Sequence, residues 1–149
     1  MARILILHGV NLNMFGKRDP RHYGTETLEA INASLSALAA DLGVEVAFFQ
    51  SNSEGAFVER IQESLADGTD GIVINAGAWT HYSYAIMDAL AILSIPVVEV
   101  HMSNVHAREP FRHTSVLSTV TRGSIAGFGS DSYRLGLRAV VELVKVKGE

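Results

Sequence analysis

The chain is 149 residues long, a length that sets the expectation of one catalytic domain over 1–149 around one hydrophobic core. It has no cysteine, which excludes disulfides, thiolate nucleophiles, cysteine-ligated zinc and iron–sulfur clusters together. Its net charge of −4, with no basic block, argues against a nucleic-acid backbone as partner. Hydrophobic residues make up 48% and charged ones only 19%, more apolar surface than so small a monomer hides, so a homo-oligomer is expected. The first apolar run, Ile4 to Leu7, is too short for a signal peptide or a membrane span, and no later run is long enough. No membrane association is therefore expected, and the lack of cysteine fits a cytoplasmic location.

In chain order, Ile4–Leu7 reads as a strand buried on both faces and ends at His8-Gly9. A long polar, glycine-punctuated stretch from His8 to Gly24 follows, and its length marks it as a functional loop. Thr27–Leu42 carries a helical stripe closed by Gly43, Val44–Phe49 is a second strand, and Ser53 caps a helix over Glu54–Ala66. Gly71–Ile74 is a third strand, His81–Leu93 a helix, Pro96–Val100 a fourth strand and Ser124–Gly127 a weaker fifth. Asp131 opens a last helix running to about Val146. This alternation predicts an α/β fold: a flavodoxin-like, doubly wound, five-stranded parallel sheet in three α/β/α layers, with the strand order left open.

His8, Gln50, Asn75 and His101 each fall just past the carboxyl end of a strand, where open parallel sheets bind ligands, and are expected to converge on one site. In the first loop, Arg18 and Tyr23 lie five residues apart. A phenol ordinarily titrates near about 10 and is a poor base at neutral pH; a guanidinium nearby favours its anion. Asn75-Ala76-Gly77-Ala78-Trp79-Thr80-His81 reads equally well as a hydroxyl- or anion-binding turn or as a helix capped by Thr80 behind a half-buried Trp79. Asp88, seven residues after His81, is expected on the same helical face, and its position between Met87 and Ala89 points to burial or an interface. Glu99 and His101 alternate on a strand and so project to one side, where the carboxylate would fix the imidazole's tautomer and favour its cation, as a general acid needs. Arg112 is placed to hold a carboxylate or hydroxyl, whereas Arg108 beside Glu109 reads as ordinary surface pairing. The histidines form no compact metal-ligand pattern, so no metal is expected. A Gly-x-Gly-x-x-Gly turn, a P-loop and a Gly-x-Ser-x-Gly elbow are all missing.

Three stretches carry a resemblance: Asn11-Leu12-Asn13 through Arg18-x-Pro20-x-x-Tyr23-Gly24; Asn75-Ala76-Gly77 with Thr80-His81; and Glu99 through Glu109. Together, and in this order, they resemble the type II 3-dehydroquinate dehydratases, from Ile4 to about Gly136. The resemblance implies cofactor-free anti elimination of water from 3-dehydroquinate to give 3-dehydroshikimate through an enolate, in the shikimate pathway of aromatic biosynthesis or in quinate catabolism. It implies that Tyr23 is the base, with Arg18 beside it on a mobile lid of about residues 9–24. Asn11 would help hold the water that stabilises the enolate, and His101, oriented by Glu99, would be the acid. It further implies that Asn75, His81 and Arg112 bind substrate hydroxyls and that Met102 and Ser103 take the carboxylate. Asp88 would reach a neighbouring subunit's site within a dodecamer of trimers. The family commonly opens this loop Asn-Gly-Pro-Asn; here it is His8-Gly9-Val10-Asn11, which removes a conformational lock and adds a titratable group near the site.

Overall fold

The computed structural model describes residues 1–148. Five strands form one wholly parallel sheet: β1 (Arg3–His8), β2 (Glu45–Gln50), β3 (Gly71–Asn75), β4 (Val97–His101) and β5 (Gly123–Ala126), in the order β2-β1-β3-β4-β5. The order runs outward from β1 in both directions, so the sheet is doubly wound, as the alternation of elements predicts.

The pleat divides the apolar residues between two cores. Ile4, Ile6, Val73, Val98 and Val100 face one way and meet Ile31 and Leu35 of α2 (Leu28–Leu42) and Tyr133, Leu137 and Val140 of α5 (Asp131–Gly148). Leu5, Leu7, Ile72 and Ile74 face the other way and meet Phe57 and Ile61 of α3 (Glu54–Glu63) and Ile86 and Leu90 of α4 (Tyr84–Ala91). With both faces covered, the strands read as unbroken apolar runs rather than alternating ones. Among the described residues no helix is long and apolar enough to cross a membrane.

Ser53 caps α3 as the sequence predicts, its Oγ accepting from the Ala56 amide at 3.2 Å; Thr27, read as the first helical residue, is instead the cap of α2, its Oγ1 accepting from the Ala30 amide at 3.1 Å. The Thr80 cap does not form. Gly77–His81 is a 3-10 turn, Tyr82 breaks it at φ −152°, and α4 is capped by Ser83, whose Oγ accepts from Ile86 at 3.1 Å. Thr80 is buried and gives its hydroxyl to Glu99 instead, because a desolvated carboxylate is the stronger acceptor. His81 and Asp88 therefore share no helix, and Asp88 is exposed, which overturns the expectation of burial within the chain. A short helix inside the first loop, α1 (Pro20–Tyr23), was not predicted; Asp19 Oδ1 caps it by accepting from the Arg21 amide at 3.0 Å.

Candidate active site

At the carboxyl edge of the sheet lies a tight cleft of about 30 Å³, lined by Tyr23, Asn75, His81, His101, Ser103 and Arg112 among others. One wall is the first loop, held to the sheet at its root. The Gly9 amide donates to the Asn75 carbonyl at 2.7 Å, and Gly9 is buried so tightly that a Cβ would overlap the Ala76 carbonyl. Gly77, at φ +63°, returns the contact: a Cβ there would meet the Val10 carbonyl at 2.8 Å. Val10 is half-buried against the α3–α4 core, and this packing helps to hold the segment in place. Asn11 adopts a left-handed φ of +68°, an uncommon but tolerated state for asparagine, and its amide donates to Asn52 Oδ1 at 2.9 Å.

Beyond that root, α1 carries Tyr23 into the cleft. The phenol is 9% exposed and its oxygen accepts two guanidinium hydrogen bonds, from Arg18 at 2.8 Å and Arg108 at 2.7 Å. The Arg18 guanidinium also lies 3.7 Å from the ring centroid. Burial, then the nearby Arg108 and Arg112 cations, hold Arg18 below the usual guanidinium range, with Tyr23 pulling the other way. Arg108 was missed as a site residue. Its side chain is 9% exposed rather than at the surface, Nη1 bridges Tyr23 and Ser103 Oγ (3.2 Å), and the Glu109 carboxylate stands 3.8 Å from Nε. The available signal was its place between Ser103 and Arg112, two residues already assigned to the site; the adjacent Glu109 masked it.

The opposite wall is β4. Glu99 and His101 project to the same side as predicted, and His101 Nε2 lies 2.6 Å from Glu99 Oε2. Thr80 Oγ1 donates to the same carboxylate oxygen at 2.7 Å and Ser115 Oγ to Oε1 at 2.9 Å. Burial alone would push the Glu99 carboxyl up; the bonds from His101, Thr80 and Ser115 outweigh it and hold it below the ordinary carboxylate value. The His101 ring is thereby fixed through Nε2, which leaves Nδ1 for the cleft.

Asn75, His81, Met102, Ser103 and Arg112 also line the cleft. His81 Nδ1 pairs with the Thr114 carbonyl at 2.9 Å; burial, with His101 and Arg112 nearby, lowers its pKa despite that bond. Asn11 and Asp88 do not line the cleft, and Glu99 sits behind His101. Nor do His8 and Gln50, so only two of the four strand-end side chains converge. Gln50 Nε2 donates to the Gly9 carbonyl at 3.2 Å and braces the loop. His8 is fully buried beneath the cleft between Tyr133 and Asn32, and burial lowers its pKa to about 4, so it is a neutral part of the framework. Among the described residues no group of three or more His, Asp or Glu side chains is placed to hold a metal ion.

Fold and cleft together define the class: a flavodoxin-like α/β enzyme whose site sets a cation-flanked phenol against a carboxylate-held imidazole. Residues 2–141 match the family model for class II dehydroquinase, and the chain belongs to that family. It is 64% identical over 141 residues to the 3-dehydroquinate dehydratase of Leptothrix cholodnii, an alignment covering 95% of each chain. It is 59% identical over 149 residues to that of Pelobacter propionicus, covering all of both. Among solved structures, the type II dehydroquinase of Butyrivibrio crossotus superposes with a TM-score of 0.91 at 46% identity, over 93% of this chain and 97% of that one.

Proposed function

We propose that this chain is a 3-dehydroquinate dehydratase in which Tyr23 is the base and His101 the acid. The observation that carries the reading is the pair of guanidinium donors on one phenol oxygen, facing the Glu99–His101 pair across a small cleft. Two cations at hydrogen-bond distance stabilise the negative charge that the Tyr23 oxygen must carry to act as a base. Tyr23 removes the proton beside the substrate ketone, and the electron pair moves onto the carbonyl oxygen as an enolate. A water held with the help of Asn11 stabilises that enolate; oxyanion donors of this kind are worth about 2.7–4 kcal/mol. The enolate then re-forms the ketone, the new double bond expels the β-hydroxyl, and His101 gives its proton so that water leaves. Glu99 offsets the imidazolium charge. Asn75, His81 and Arg112 hold substrate hydroxyls, and Ser103 with the Met102–Ser103 backbone takes the carboxylate.

We further propose that residues 1–149 act as one catalytic domain with a lid over about 9–24, in a homo-oligomer of the dodecameric kind. In it Asp88 reaches a neighbouring site. Supporting this, Asp88 sits on α4 among the exposed apolar side chains of Tyr82, Tyr84 and Ile92, with Phe128 and Leu135 exposed elsewhere. Light scattering measures the assembly directly, and a monomer at micromolar concentration would end this part of the reading.

The test of function is an assay of chelator-treated protein with 3-dehydroquinate, following the ultraviolet absorbance of the conjugated enone. Turnover that survives both chelator and borohydride establishes a dehydratase using neither metal nor Schiff base. Folded protein that produces no signal overturns the reading.

A further inference from the structure

Beneath the cleft lies a run of buried polar groups that proton transfer does not use: His8 and Tyr133, both 0% exposed, and Asn75, 4% exposed, whose carboxamide reaches the site. We propose that His8 and Tyr133 are positioning residues for Asn75, forming with it a one-way hydrogen-bond chain that fixes which end of its carboxamide faces where. The inference rests on the proposed reading in one respect only, that Asn75 binds a substrate hydroxyl.

The direction of every bond follows from one that cannot be reversed. The Gly77 backbone amide can only donate, and it lies 3.1 Å from Asn75 Oδ1, so the carboxamide oxygen is on that side. Asn75 Nδ2 is therefore the atom 3.0 Å from Tyr133 Oη, and it donates. Fully buried, the Tyr133 phenol must also place its own proton, and it turns that proton toward His8 Nδ1 at 2.8 Å, which is then the unprotonated ring nitrogen. The single imidazole proton then sits on Nε2 and is donated to Asn32 Oδ1 at 2.8 Å, on α2. Burial favours the neutral form at both titratable links, lowering His8 and raising Tyr133, so the polarity holds across the neutral range.

A carboxamide has two N–H donors and two acceptor lone pairs. One of each is committed, to Tyr133 and Gly77, leaving one donor and one acceptor for the cleft. That pair suits an alcohol, which both gives and takes a hydrogen bond, better than a carboxylate, which only accepts. Were the carboxamide to flip, its amide nitrogen would face the Gly77 N–H and its oxygen would face Tyr133, breaking one bond and reversing the others. The chain thus acts on hydroxyl recognition, whereas a purely space-filling role would be met equally well by phenylalanine at 133 and leucine at 8.

The test compares Tyr133→Phe, His8→Leu and His8→Asn with the wild type, by steady-state kinetics and by nitrogen-15 NMR. Loss of one neutral hydrogen bond predicts that Tyr133→Phe and His8→Leu raise KM about 3- to 10-fold with kcat within about twofold. His8→Asn, which still offers Tyr133 an acceptor, restores most of the affinity. In the wild type the His8 Nδ1 resonance is that of an unprotonated nitrogen, and the Asn75 amide protons exchange with solvent more slowly than in His8→Leu. An unchanged KM in both apolar variants, a proton on Nδ1, or equal failure of His8→Asn and His8→Leu overturns the proposal. Should Tyr133→Phe not fold, the two His8 variants decide it. Should the wild type not turn over 3-dehydroquinate, the dehydratase reading fails, and the tautomer and amide exchange still judge the chain of bonds.

Discussion

The two walls of the cleft are built on opposite plans. The proposed acid sits on an interior strand of the sheet: Glu99 and His101 belong to β4, both are buried, and the carboxylate is filled by three donors between 2.6 and 2.9 Å. The proposed base, Tyr23, sits on the first loop, and its charge support is assembled from two segments 90 residues apart, Arg18 and Arg108. The strand-borne wall is held by redundant bonds within the sheet and the segments packed on it. The loop-borne wall depends on contact between α1 and the segment around Arg108. Preorganisation is therefore uneven: Glu99 and His101 are set by the strand, whereas Tyr23 and its two cations are set by the arrangement of two loops.

The comparison breaks first at Tyr23. Tyr23→Phe should lower kcat about 10²- to 10⁴-fold while circular dichroism and the unfolding midpoint stay near wild type, because the phenol oxygen touches only the two arginines; a loss of under tenfold would remove Tyr23 as base. The sheet beneath both walls has its own weakness, at His8 of β1. Its unfolded imidazole takes a proton near 6.5 and the folded one only near about 4, so the unfolded state binds protons first as pH falls. His8's contribution is full above pH 6.5 and is lost progressively down to about 4, a decline of about 3 kcal/mol that urea titrations across this window would register. His8→Asn should flatten that decline, and a wild-type stability level through the window would show His8 to be accessible to protons when folded. Next, Arg108→Met should cost about 10- to 100-fold in kcat/KM, a loss comparable with that of Arg18→Met, since the two donate charge-assisted bonds of 2.7 and 2.8 Å to the same oxygen. A neutral Arg108→Met would leave Arg18 as the sole support of the phenol oxygen. Smallest is Ser115→Ala, which takes one of three donors from Glu99 and should lower kcat only about 2- to 10-fold; a larger fall would mean the strand-borne wall is less redundant than its bonds imply.

Much of this was legible in the sequence, and the exceptions share causes. Continuous apolar runs announced a sheet covered on both faces, and the Glu99-x-His101 alternation announced a pair on one side. Strand order was not legible because periodicity carries no information on which strand lies next to which. Thr80 misled because cap chemistry was weighed without the buried Glu99 carboxylate, which competes for the same hydroxyl. His8 and Gln50 misled because position at a strand end was read without the groups that claim those side chains: His8 is taken up by Tyr133 of α5 and Asn32 of α2, and Gln50 by the Gly9 carbonyl. Arg108 misled because its nearest sequence neighbour of opposite charge is not its main partner in space.

Because the seam where Gly9 and Val10 meet Ala76 and Gly77 is backbone against backbone, with no room for even a methyl group at either glycine, it limits how the enzyme can be redesigned. A side chain at either position would pry apart the tips of β1 and β3, and with them the Asn75 carboxamide and the root of the first loop. New substrate preferences are accordingly to be engineered by exchanging the first loop beyond Phe15 or the Val105–Arg112 segment, both of which reach the cleft from outside the seam. A saturation library should recover glycine alone at 9 and 77 and a broad range of residues at exposed loop positions such as Lys17 and Arg21.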